Sequence, residues 1–365
     1  MSAHYNSTAY KCPECRGVLT FTPAVGRWLC PFCDSDWDLA SLQEHGVGIE
    51  TPEDHTKSHR ELTETELEYA SADDGTDATD LVAFKCTQCQ AEMITSRNTA
   101  STVCVYCGTP MTMHEQFSGE FKPVGVLPFK YEADYATEQF KKFMKKPLTP
   151  KKFFTDVEVK KVQGIYVPFF LYSGTAKGVY HAECKKEHPW VGNKRRIDVF
   201  NCWRQYALEY KDVPVDASKR IDDAAMDSIE PFNLEDMQPF NPAYLAGYLA
   251  ERWDEDATTC YQRVEPRVMQ SGKDFSHSEL KKEYNYVFER DGCECQVNNT
   301  ESKYVMMPTW LLYTEYEGKD YLFAMNGQTG KFIGNLPIDK LKFCLYTAIS
   351  LVSGALGGFL LFGFC

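Results

Sequence analysis

Apolar and polar positions follow several rhythms along this chain of 365 residues. In DYATEQFKKFMKK (134–146), Tyr135, Phe140, Phe143 and Met144 recur with lysines between them. That spacing predicts an amphipathic helix, which Pro147 ends. FKPVGVLPFKYE, from Phe121, predicts strand punctuated by proline. GIYVPFFLYSGTAKGVYHAEC (164–184) predicts two strands joined by a Ser-Gly turn, and RRIDVFNCWRQYALEY (195–210) a further strand or two. Residues 217–273 predict helices in ASKRIDDAAMDSI, NPAYLAGYLAERW and DEDATTCYQRVEPRVMQSG, and strands return at 283–297 and 303–336. YVPFFLYSGTAKGVYHAE (166–183) echoes MMPTWLLYTEYEGKDYLFAM (306–325), which suggests two similar hairpin units flanking the helical insertion.

The C-terminus has no polar face. FCLYTAISLVSGALGGFLLFGFC (343–365) is 23 residues without a charge. A helix of that length reaches roughly 34 Å, enough to cross a hydrocarbon core of about 30 Å. Lys340 and Lys342 precede it and no charge follows, so the positive-inside rule would keep residues 1–342 cytoplasmic on a single-pass C-terminal anchor. Its small residues, Gly354 and Gly358 among them, would permit close helix packing and with it an oligomer.

Two blocks carry the chemistry. CPECRGVLTFTPAVGRWLCPFC (12–33) and CTQCQAEMITSRNTASTVCVYC (86–107) each read Cys-x2-Cys, fourteen residues, Cys-x2-Cys. Each knuckle presents two sulfurs, and four thiolates close a tetrahedral zinc site at about 2.3 Å. The metal ligands are therefore Cys12, Cys15, Cys30 and Cys33 in one block and Cys86, Cys89, Cys104 and Cys107 in the other. Two structural Zn2+ ions are expected, since a four-cysteine site leaves no open position for a reacting water. No apolar leader opens the chain, so a reducing compartment favours metal over disulfide.

Charge changes the obvious reading of such ribbons. The net charge is −13, and the ribbons hold Arg16, Arg27 and Arg97 against Glu14 and Glu92. A nucleic-acid partner is disfavoured, and a docking or structural role preferred. Between the ribbons, residues 50–80 carry eleven Asp and Glu against Lys57 and Arg60, the composition of a solvated linker with a short helix around RELTETELEYA. The lysines from Lys141 to Lys161 could face anionic headgroups or simply water. NGQTGKFIG (326–334) lacks the phosphate-loop spacing and reads as a hairpin turn. His181, Glu183, Cys184 and His188 form a loose group near Trp190, for which ordinary strand and turn outweighs a third metal site or a hydrolase centre. No nucleophile elbow or dinucleotide fingerprint is present, so the chain is read as no enzyme and no catalytic or cofactor-binding residue is assigned.

With these pieces in order, the chain resembles the bacterial membrane-anchored zinc-ribbon proteins of the transcription-factor-IIB-type, YdjG-like family. The resemblance rests on the ribbon at 86–107, GVLPFKYEADYATEQFKKFM, GIYVPFFLY, FNPAYLAGYLAERW, MPTWLLY, AMNGQTGKFIGNLP and the terminal apolar segment. It implies zinc ligands at Cys86, Cys89, Cys104 and Cys107. It also implies a non-enzymatic adaptor or scaffold that recruits partners at the cytoplasmic membrane face. The implied partners are an SPFH (flotillin-like) and a PspA-like protein, in an envelope-stress complex. The alternative is a membrane-tethered, nucleic-acid-binding zinc-ribbon regulator.

The expected fold class is α+β: two small zinc ribbons, a β-rich body with a helical insertion, and one C-terminal transmembrane helix. The expected divisions are ribbon 1 at 1–40, acidic linker at 41–83, ribbon 2 at 84–115, body at 120–340 with its insertion near 217–273, and the span at 343–365.

Overall fold

The computed structural model describes residues 7–47, 59–60, 81–86, 89, 92–96, 98–104, 107, 109–113, 122–156 and 159–362. Most of the expected acidic linker, with the short helix around RELTETELEYA, lies outside these residues.

The first ribbon is a three-stranded antiparallel sheet of β1 (Thr20–Thr22), β2 (Arg27–Leu29) and β3 (Asp36–Trp37). Helix α1 (Leu39–Glu44) follows, and the Asp38 carboxylate caps it by accepting from the Ser41 N–H. The second ribbon is built from β4 (Leu81–Lys85), β5 (Glu92–Ser96), β6 (Thr99–Val103) and β7 (Pro110–Met113). Strands β4 and β5 form a small sheet with His59–Arg60, whereas β6 and β7 belong to the sheet of the body.

The body begins at β8 (Gly125–Val126), α2 (Ala133–Phe143) and α3 (Lys151–Asp156). Phe140 of α2 is buried against Phe323 and Phe332, which accounts for the apolar stripe. Then come β9 (Val159–Glu187) and β10 (Ile197–Asp216), a long antiparallel hairpin. β9 is one strand of 29 residues, not two strands and a turn. The Ser-Gly pair sits at a bulge, and a Cβ on Gly174 would lie 2.0 Å from the Asn298 carbonyl oxygen. Glycine is there for close backbone approach.

Residues 217–273 are only partly helical. α4 (Asp223–Ile229), β11 (Leu249–Glu251), α5 (Ala257–Tyr261) and α6 (Val264–Glu283) occupy this region. The segment NPAYLAGYLAERW is not a helix: one 3-10 turn at Pro242–Leu245 leads through Gly247, at φ 94°, into β11. That backbone conformation is open to glycine and stops helix propagation.

The chain returns through β12 (Tyr286–Glu289), β13 (Glu294–Tyr316), β14 (Lys319–Asn326) and β15 (Phe332–Gly334). β13 lies antiparallel to β9, with Tyr166 opposite Pro308, so the two echoing segments are partners across the centre of the sheet. Only the second of them is a hairpin, turning at Glu317 and Gly318 with φ of 51° and 72°. NGQTGKFIG is the turn between β14 and β15, as its residues suggest. Among the described residues the main sheet has twelve strands, and its largest core joins both ribbons to the body through Trp28, Ala100 and Tyr248.

Helix α7 (Lys340–Phe362) ends the described chain. The expected span over 343–365, with its membrane localisation and cytoplasmic placement of 1–342, is overturned. Among the described residues no helix is long and apolar enough to cross a membrane. The helix opens in charge, with Asp339 just before it and Lys340 and Lys342 in its first turn, and carries the polar Thr347 and Ser350 along it.

Candidate metal centres

In each ribbon the four expected cysteines converge, with all Sγ atoms within 4.8 Å of one another. Cys12 and Cys33 sulfurs are 3.7 Å apart and those of Cys15 and Cys30 3.4 Å. In the second ribbon the Cys86–Cys107 and Cys89–Cys104 separations are both 3.7 Å. Sulfurs at about 2.3 Å from a tetrahedral centre stand about 3.8 Å apart along each edge. A disulfide would hold them at about 2.05 Å. The donor set thus fits zinc, and each four-cysteine group can hold one ion.

Local backbone explains the convergence. In the first knuckle Cys12 carbonyl accepts from the Arg16 N–H at 2.9 Å, and Arg16 takes a φ of 61°. Gly17 then donates its N–H to the Cys15 sulfur at 3.4 Å. The second knuckle repeats this shape, with the Asp34 N–H on the Cys30 carbonyl and Asp34 at a φ of 56°. In each ribbon two ligands are buried, Cys12 with Cys30 and Cys86 with Cys104, and two are exposed.

The ligands are flanked by two hydroxyls that the cysteine spacing alone did not single out. Ser35 Oγ lies 3.1 Å from the Cys33 sulfur and 3.2 Å from that of Cys12. Trp37 donates its indole N–H to Ser35 Oγ at 3.1 Å, which leaves the hydroxyl proton to point at sulfur. Thr109 repeats the arrangement, 3.1 Å from the Cys107 sulfur. Both stand two residues after the fourth cysteine, a repeat visible in the sequence once the ribbons are aligned.

The electrostatics follow. Burial would raise the Cys12 thiol, but the Ser35 hydroxyl and the backbone N–H groups of Cys15 and Glu14 bring it down to about 6. The Thr109 hydroxyl brings Cys107 down to about 6. Cys15 receives the Gly17 N–H, yet its neighbours Cys33 and Cys30 outweigh that and push it up to about 12. Four thiolates side by side repel one another, and a divalent cation relieves that repulsion.

The ribbons are docked, not free on a tether. Trp28 Nε1 donates to the Ala243 carbonyl at 2.7 Å, and Phe21 N–H donates to the Ala246 carbonyl at 3.1 Å. Phe21, Trp28 and Tyr244 form a triangle of rings with centroids 5.0 to 5.3 Å apart. From the other side, β6 of the second ribbon pairs with β11, setting Ser101 opposite Ala250. Ser101 Oγ donates to the carbonyls of Leu245 and Tyr248. One body segment, 243–251, is held between the two ribbons.

The loose histidine group does not assemble. His181 stacks on Trp203 with centroids 3.8 Å apart and bonds Asn201 and the Asp291 carbonyl. Glu183 pairs with Arg290 and His188 with Asp198, while Cys184 is buried. Among the described residues the two cysteine quartets are the groups able to hold a metal. Lys141, Lys142, Lys145, Lys146, Lys151 and Lys152 are exposed on α2, α3 and the loop between them.

No family model matches the chain, and no solved structure matches it. The chain is similar to the uncharacterized protein YdjG of Bacillus subtilis (strain 168), at 29% identity over 363 residues covering 96% of this chain and 98% of that one. The name of that relative carries no activity and no partner to this chain, so what the alignment supports is a shared architecture along nearly the whole length.

Proposed function

We propose that the protein is a non-enzymatic scaffold whose two zinc ribbons present fixed docking surfaces to partner proteins. The observation that carries this reading is the seating of both ribbons on one body segment, 243–251. A partner that grips a ribbon is thereby held at a set position relative to the body. Closed four-thiolate centres suit this role, since they stabilise a fold and leave no position for substrate. The first ribbon faces outward with Phe32, 73% exposed between the ligands Cys30 and Cys33. A large apolar side chain held out by a metal knuckle is a natural anchor for a partner. The partners expected from the resemblance are an SPFH (flotillin-like) protein and a PspA-like protein in an envelope-stress complex.

The test is affinity capture from the native host with the full chain and with F32S. The reading expects capture of a defined partner, loss of it in F32S, and zinc content unchanged. Equal capture by F32S and by a chain lacking residues 1–40 would overturn it.

A further inference from the structure

We propose that β10 pairs edge to edge with β10 of a second copy, forming a two-fold dimer centred on Asn201. Among the described strands, β10 pairs with β9 alone, so its other edge offers a row of backbone N–H and C=O groups. Proteins that stay monomeric blunt such an edge with proline, lysine, a bulge or a short strand. Between Ile197 and Tyr210 there is no proline, lysine or bulge, and the charges there are Asp198, Arg204 and Glu209. The pairing with β9 runs from Glu187–Ile197 to Gly174–Tyr210 without a register shift. Proline and lysine enter only at Lys211 and Pro214. The same stretch exposes large apolar side chains: Val199 is 58% and Trp203 55% exposed. A long, regular, apolar edge is a template for a further strand.

Charge selects the occupant and the register. In an antiparallel pair across a two-fold at Asn201, residue 204 stands opposite 198 and residue 203 opposite 199. Arg204 then faces Asp198 of the second copy, and the symmetry supplies that pair twice. Trp203 faces Val199 of the second copy on the outer face, an aromatic against a β-branched residue. Moving the axis to Phe200 sets Arg204 against Arg196, and moving it to Arg204 sets arginine against arginine. Counting only residues of the strand itself, Ile197–Asp216, no other residue-centred axis from 199 to 205 places opposite charges face to face. Arg204 and Asp198 are placed to serve there: Arg204 reaches Glu283 at 2.9 Å with both side chains about half exposed, and Asp198 bonds Arg196 and His188 near the hairpin tip. The strand is thus complementary to itself, which makes a second copy its fitting partner.

Light scattering on the full purified chain tests this, with the wild type, R204D, D198R and the double variant R204D/D198R. The expected results are a dimer for the wild type, a dissociation constant raised at least tenfold in each single variant, and recovery in the double variant. Because D198R also removes bonds at the hairpin tip, N201C supplies a second measurement. The axis brings position 201 opposite itself, within about 5.5 Å between Cβ atoms. Mild oxidation should therefore link N201C chains into dimers far faster than wild type. A wild-type monomer, association indifferent to the single reversals, a double variant that stays apart, or N201C no faster than wild type would each overturn the proposal.

Discussion

Trp28 donates its indole N–H to the carbonyl oxygen of Ala243 at 2.7 Å, joining the first zinc ribbon to a body residue 215 positions away. Both groups are buried, and Trp28 is 1% exposed. The bond therefore anchors a ring packed between Phe21 and Tyr244.

Two substitutions separate the ring from the bond. W28F keeps an aromatic body but leaves the Ala243 carbonyl without its donor, at a cost of about 1–3 kcal/mol. W28A also empties the space of the indole and should cost about 3–5 kcal/mol. Urea unfolding measures both. Equal stabilities for wild type and W28A would show that the ribbon is not seated there.

Zinc content should be about two ions per chain, one for each four-thiolate site. S35A and T109A should leave that number unchanged and weaken zinc at their own site about 10–100-fold, because each removes a hydroxyl that orients and stabilises a ligand sulfur. Competition against a coloured chelator reads this out. An unchanged affinity in both variants would mean that the hydroxyls are bystanders.

Asp216 gives a pH dependence. Its carboxyl is fully buried, 2.9 Å from Arg263, which also reaches Asp223 and Asp227. Burial raises its pKa from 3.8 to about 6, and Arg263 offsets only part of that. The folded state then holds the proton more tightly than the unfolded state. The resulting stabilisation is full below pH 3.8 and is lost as pH rises through 6. At 1.36 kcal/mol per pH unit the loss is about 3 kcal/mol. Wild type should lose that much stability relative to D216N between pH 3.5 and 7, a difference in which the acid sensitivity common to both proteins cancels. Parallel stability curves would refute it.

The sequence showed the zinc ligands because a Cys-x2-Cys knuckle is local: six or seven residues determine its shape. Helix α2 was legible for the same reason, through Phe140 and its neighbours. What surrounds the ligands was not. NPAYLAGYLAERW has a helix-favouring composition, but Gly247 at φ 94° lies against Thr20 of the first ribbon, and the tail of the segment pairs with the second. Those contacts span well over a hundred residues and override local propensity. Ser173-Gly174 misled similarly, since a glycine needed for close approach to Asn298 looks the same in sequence as a glycine needed for a turn. At the C-terminus an uncharged run predicted a crossing helix, which the described residues of α7 do not support.

The zinc ribbons hold 243–251 in place. Amide hydrogen exchange on the full chain tests it most directly, comparing wild type with C30S and with C104S, each of which removes one ligand of one quartet. The claim predicts faster exchange in Ala243–Glu251 in each variant, reaching across from whichever ribbon has lost its metal. If exchange quickens only within the altered ribbon while Ala243–Glu251 stays as protected as in wild type, the ribbons are independent of the body and the claim fails.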